Sequence, residues 1–166
     1  YELTYEDLLE QKGIGPVKAI QLKAVAELSR RIARTNRGYQ LQMNNPKTIA
    51  DYFMEDMRHH RVEVFKGAFF DAKCNFIGSE TVAKGSLSFA YVSPAELFRK
   101  ALLKNAVMIV ILHNHPSGDP TPSREDFELT QQIARGAQLL GITLADHIVI
   151  GDNRYYSFRE NHRLET

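Results

Sequence analysis

The chain is short of the residues that would staple or anchor it. Its 166 residues include one cysteine, Cys74. That excludes an internal disulfide framework and a cysteine-based zinc site. A lone thiol fits a small core filler in a reducing, cytoplasmic setting. No apolar run approaches the roughly 18 residues that a membrane span requires, so no membrane partner is expected. Residues 1–12 are acidic and amphipathic and do not read as a signal peptide. Internal repeats and low-complexity segments are missing as well. Net charge is nearly absent, +1 at pH 7, and the total alone predicts no polyanion partner.

What is present is an ordinary globular composition, 43% hydrophobic and 25% charged, at a length that buries a core without staples. The charge is unevenly spread. Residues 18–37 hold Lys18, Lys23, Arg30, Arg31, Arg34 and Arg37 against Glu27 alone, a net of +5. Residues 38–166 hold fourteen basic and fifteen acidic side chains. A basic N-terminal arm therefore precedes a near-neutral body, with the boundary between residues 37 and 38.

Turn and cap signals divide the chain further. Residues 3–11 read as a short helix capped by Thr4, and Gly13-Ile14-Gly15-Pro16 as a turn. Val17, Ile20, Leu22, Ala24, Val25, Leu28 and Ile32 give residues 16–35 the spacing of an amphipathic helix. Residues 36–45 read as a linker, and Pro46 opens a helix to Arg58. Val62–Phe70 and Phe76–Lys84 are strand-like. Ser93-Pro94 starts a helix through Leu103. Ala106–Leu112 is a dense apolar run of the kind that forms a buried strand. His113–Pro122 reads as a loop, Ser123–Leu140 as a helix ended by Gly141, and 143–150 and 154–158 as two strands around a Gly151-Asp152-Asn153 turn. The body is thus an α/β or α+β domain with a mixed sheet and flanking helices.

The informative stretch is His113-Asn114-His115-Pro116-Ser117-Gly118-Asp119-Pro120-Thr121-Pro122-Ser123-Arg124-Glu125-Asp126. Histidines at i and i+2 on a strand end point to the same side. Asp126 falls in the first turn of the next helix and can turn its carboxylate toward them. Two imidazoles and one carboxylate are a standard ligand set for catalytic zinc with a position left for water. Each half has a plainer reading alone: polar loop histidines, and a helix cap at Ser123-x-x-Asp126. Together, after a buried strand, they are far more specific, and the cap and ligand roles are compatible. His147, beside Asp146 on a strand, reads as a satisfied core residue ahead of a supporting group behind the ligands.

His-x-His, seven residues, Ser-x-x-Asp resembles the JAMM motif of the MPN+/JAB metallopeptidase superfamily. The string from His113 to Ser123, Asp146-His147-Ile148-Val149-Ile150-Gly151 and Tyr156-Ser157 are similar to the RadC family in particular. The resemblance spans essentially the whole chain. It implies a JAMM/MPN-like fold, related to that of cytidine deaminases, preceded by a small helical module. It implies zinc held by His113, His115 and Asp126, and a protein or peptide substrate cleaved at an amide or isopeptide bond. Ser123 would support the oxyanion or the attacking water. An upstream glutamate would be the general base; Glu63 fits that position, with Glu80 as the alternative. Asn114 stands where many JAMM peptidases have Ser or Thr, which weakens transfer of a deubiquitinase-like substrate.

Residues 1–37 resemble a helix-hairpin-helix segment cut short at its start. Gly13 and Gly15 allow a close backbone approach, the next helix offers free N–H groups, and Lys18 adds charge, a combination suited to a DNA phosphate. Two rival functions remain open on the residues alone. One is a DNA-associated protein with a structural or vestigial metal site, and the other is a metal-dependent nuclease.

Overall fold

Capping chemistry sets the helix boundaries. A computed structural model describes residues 3–35, 41, 45–85 and 92–164, with backbone only for residues 30–35. The chain divides into two compact units, Tyr1–Tyr39 and Gln40–Thr166. The linker expected over 36–45 lies, except for Leu41 and Asn45, outside the described residues. So do the side chains of Arg30, Arg31, Arg34 and Arg37.

In the first unit, α1 (Tyr5–Leu9) starts at Thr4, whose hydroxyl accepts from the Asp7 N–H while the Asp7 carboxylate accepts from the Thr4 N–H. This reciprocal capping box satisfies two donors that a helix start leaves open. α2 (Pro16–Thr35) follows the Gly13 turn, where φ of +86° suits glycine. α1 is only one turn and a half long and covers little of α2. Ala19 is buried, while Val17, Ile20, Leu22, Val25 and Leu28 are exposed.

The second unit is a five-stranded mixed sheet with helices on both faces. Its strands are β1 (Val64–Phe70), β2 (Phe76–Lys84), β3 (Met108–Asn114), β4 (Thr143–Ile150) and β5 (Tyr155–Ser157), in the spatial order β2-β1-β3-β4-β5. Only β3 and β4 pair in parallel; the other neighbours are antiparallel. A parallel pair needs a crossover, and α5 (Arg124–Leu139) supplies it. The central strand β3 is buried almost throughout, as its unbroken apolar run dictates.

Alternation along the strands sorts the core into two layers. Ala68, Phe70, Val110, Leu112, Ile148 and Ile150 face α3 (Pro46–Met57), which contributes Ile49, Phe53 and Met57. Phe65, Phe69, Ile109, Ile111 and Leu144 face α4 (Pro94–Leu103) and α5, which contribute Leu97, Phe98, Leu129 and Ile133. Each large apolar side chain among these contributes on the order of 2 kcal/mol by its burial.

Two of the strand boundaries that differ from the sequence expectation bear on the site. β3 runs on through His113 and Asn114 rather than stopping at Leu112. His113 pairs with Phe65 on one side and Val149 on the other. Asn114, fully buried, holds the start of β1 with its side chain. Its Oδ1 accepts from the Val64 N–H at 2.8 Å, and its Nδ2 donates to the Val62 carbonyl at 3.1 Å. β1 begins at Val64 rather than Val62, so Glu63 sits just before the strand.

The β4–β5 turn is pressed against the His115–Pro122 loop. The Asp152 N–H donates to the Gly118 carbonyl at 2.9 Å, and a Cβ on Gly151 would lie 2.4 Å from that carbonyl oxygen. Arg58, at the end of α3, donates to Asn153 Oδ1 at 2.7 Å and fastens the turn from below. Gly151→Ala should therefore push the loop off the turn, lowering stability by about 1–3 kcal/mol. Thermal unfolding checks this; an unchanged midpoint would mean that the two loops are not in rigid contact.

Asp146 is buried on β4 and accepts from Ser157 Oγ at 2.6 Å and from the N–H groups of His147 and Arg159. Burial still outweighs these bonds and pushes its carboxyl up to about 6. The folded chain thus holds this proton more tightly than the unfolded chain between about pH 4 and pH 6, and stability falls as pH rises through that window. Asp146→Asn removes the titration. The stability of the native chain relative to Asp146→Asn should fall by about 2 kcal/mol from pH 4 to pH 7 in urea unfolding. A gap equal at both pH values would contradict this.

Candidate metal centre

The end of β3, the start of α5 and the middle of β4 bring four side chains together. His113 Nε2 lies 2.9 Å from Asp126 Oδ1 and 3.0 Å from His115 Nε2. His115 Nε2 lies 3.6 Å from Asp126 Oδ2. His113, Asp126 and His147 also offer ligand atoms within 4.8 Å of one another. Two candidate triads therefore share His113 and Asp126. The set with His115 is the better donor set, because both ring nitrogens of His147 are already engaged within the protein. His147 Nε2 is 2.8 Å from His113 Nδ1, and its Nδ1 is 2.6 Å from Thr130 Oγ1.

Local structure aims each candidate ligand. Ser123 is the N-cap of α5, and its hydroxyl accepts from the Asp126 N–H. The Ser123 N–H and hydroxyl both donate to Asp126 Oδ2 at 2.7 Å. Oδ2 is thereby occupied, while the buried Oδ1 takes no hydrogen bond. His115 Nδ1 donates to the Asp119 carbonyl at 2.7 Å, since a carbonyl can only accept. That contact leaves the hydrogen on Nδ1 and the lone pair on Nε2.

The donor set fits a cation. Two Nε2 atoms that face each other at 3.0 Å need a proton or a cation between them. A buried carboxylate oxygen without a hydrogen bond needs the same. In electrostatic terms, burial pushes the Asp126 carboxyl up. The adjoining His113 and His115 imidazoles and the Ser123 hydroxyl more than offset this and hold it well below the usual carboxylate range. The Asp126 carboxylate raises the His115 imidazole against the opposing effect of burial, with the Glu63 charge adding to the rise. Burial keeps His147 neutral, its pKa well below the ordinary imidazole value.

The structure thus gathers His113, His115, Ser123 and Asp126. Glu63 stands beside them: β1 and β3 run antiparallel with Phe65 opposite His113, so the residue before β1 falls next to His115. Glu80 is elsewhere. It lies on β2, 3.0 Å from Lys104 Nζ and 4.0 Å from Lys100 Nζ on the α4 side. Gly13, Gly15 and Lys18 belong to the other unit, where Lys18 Nζ donates to the Gly13 carbonyl at 3.1 Å. Sequence reasoning gave no part to Thr130 or Asn114 and favoured a core role for His147. The Asp-His pair on a predicted strand was the available signal for His147.

Residues 43–164 match the RadC-like JAB domain family. A UPF0758 protein of Desulfitobacterium hafniense is 42% identical over 158 residues, which are 95% of this chain and 70% of that protein. A UPF0758 protein of a Geobacillus species, strain WCH70, is 41% identical over 159 residues, 96% of this chain and 70% of the relative. One from Caldanaerobacter subterraneus is 41% identical over 155 residues, 93% of this chain and 66% of the relative. With the mixed sheet, the His-x-His strand end and the Ser-x-x-Asp helix start, these matches lead to one conclusion: the chain belongs to the RadC-like JAB domain family.

Proposed function

We propose that the second unit is a zinc-dependent hydrolase of JAMM type that cleaves an amide or isopeptide bond. The observation that carries this reading is the donor set of buried His113 and Asp126 with half-buried His115, Asp126 Oδ1 taking no hydrogen bond. In this reading His113 Nε2, His115 Nε2 and Asp126 Oδ1 hold the metal. Zinc supplies Lewis acidity there, polarising a carbonyl and bringing the pKa of water toward neutrality.

The protein's own groups do the rest. Glu63 takes the proton of the attacking water and hands it to the leaving amine. Its half-buried place beside His115 supports that role, whereas the lysine pairs of Glu80 argue against the alternative base. Ser123 aims the carboxylate first, because its proton rests on Asp126 Oδ2. Rotation of that hydroxyl would let it meet negative charge on the carbonyl oxygen. A single metal with three protein ligands suits an acyl centre better than a two-metal phosphodiester cleavage.

A second reading concerns DNA. An added Cβ at Gly15 would meet nothing within 4 Å, and φ there is ordinary for any residue. The backbone of this turn is therefore open to approach by a phosphate, and Lys18 stands next to it.

Glu63→Gln should keep its zinc and lose about 10²–10⁴-fold in turnover of an amide or isopeptide substrate. An unaltered rate would remove Glu63 as the base, and hydrolysis of phosphodiesters instead would favour the nuclease. For the first unit, Gly15→Ala leaves the fold untouched, so a loss of salt-dependent DNA affinity in the variant would report direct backbone contact. Equal affinity in both chains would reduce the hairpin to a packing element.

A further inference from the structure

Resting on the zinc-site reading above, we propose that His147 and Thr130 are positioning residues that fix the tautomer of His113 and present its Nε2 to the metal. The Thr130 hydroxyl donates to the backbone carbonyl of Asp126, so its only proton is spent. Its other contact, 2.6 Å to His147 Nδ1, must then be accepted by the hydroxyl. His147 therefore carries its hydrogen on Nδ1, and its Nε2 is an acceptor. The partner of that Nε2, at 2.8 Å, is His113 Nδ1, which must be the donor. His113 thus keeps its hydrogen on Nδ1 and turns the Nε2 lone pair toward His115 Nε2 and Asp126 Oδ1. The relay begins at one ligand's backbone, Asp126, and ends at another ligand's ring, His113.

Packing holds this relay still. His147 is fully buried and stacks on Phe158, with ring centroids 4.7 Å apart and planes within 11°. Phe65 meets it edge-on from the other side, 6.0 Å away. A bulge in β4 aims the ring. Ile109 pairs with Leu144, but the next residue, Val110, pairs with Asp146, so Ala145 is extra. The face assignment of every later β4 residue is thereby reversed. Without the bulge, position 147 would face α3; with it, His147 faces Thr130 on α5.

The relay predicts what a single hydroxyl is worth. Thr130→Val keeps the shape of the side chain, and the helix's own N–H at position 130 still serves the Asp126 carbonyl. His147 Nδ1 then loses its acceptor, and the ring gains by moving its hydrogen to Nε2. His113 must answer by moving its own hydrogen to Nε2, the atom meant for the metal. The experiment is zinc titration of the full chain against a chromogenic chelator. Thr130→Val should bind zinc about 10–100-fold more weakly, and Thr130→Ser should return to within about threefold of the native chain. Nitrogen-15 NMR of the metal-free chain gives a reading independent of activity and of any variant. The native chain should show His113 with its hydrogen on Nδ1, and Thr130→Val should shift it to Nε2. Native-like zinc affinity in Thr130→Val, or a native His113 with its hydrogen on Nε2, would overturn the inference. A native chain that binds no zinc would instead remove the proposed function, while the His113 tautomer still decides this inference on its own.

Discussion

A fully buried carboxylate is the constraint around which the second unit is organised. Asp126 is shut away from water at the start of α5, where an uncompensated charge would cost several kcal/mol. Each neighbouring feature lowers that cost. The N-terminal end of α5 supplies favourable dipole and the Ser123 cap supplies two donors to Oδ2. His113 and His115 supply imidazoles at its other side. Even so, Oδ1 ends without a hydrogen bond. That unmet oxygen, beside two imidazole nitrogens, is a donor set that fits a cation.

Rigidity follows from where these groups are mounted. His113 is the penultimate residue of the central strand, which is buried almost throughout. His115 is outside the strand but is held twice, by its N–H on the Ile150 carbonyl and by its ring on the Asp119 carbonyl. Asn114, between them, points the other way and grips the backbone that leads into β1. Three consecutive residues thus carry two candidate ligands and the clamp for the segment that bears Glu63. The asparagine that sets this chain apart from many JAMM peptidases therefore has a structural duty of its own.

Much of this was legible in the sequence, because the signals were local. Thr4, Ser93, Ser123 and the proline starts at Pro16, Pro46 and Pro94 announce helix beginnings in chemistry that needs no tertiary context. His113, His115, Ser123 and Asp126 could be grouped because a strand end and a helix start lie ten residues apart. What escaped depends on distant partners. β3 outruns its apolar stretch because Asn114 finds its partners some fifty residues earlier in the chain. The place of His147 depends on the bulge at Ala145, and nothing in Leu144-Ala145-Asp146 marks an extra residue. Thr130 reads as an ordinary helical position until β4 is laid beside it. The exposed apolar residues of α2 show the opposite failure, since periodicity predicts an apolar stripe but not what covers it.

Elemental analysis of the purified full chain beside its His115→Ala variant decides whether His113, His115 and Asp126 form a zinc site. About one zinc per native chain and almost none in the variant is the expected result. Zinc absent from the native chain, or retained undiminished in His115→Ala, would contradict it.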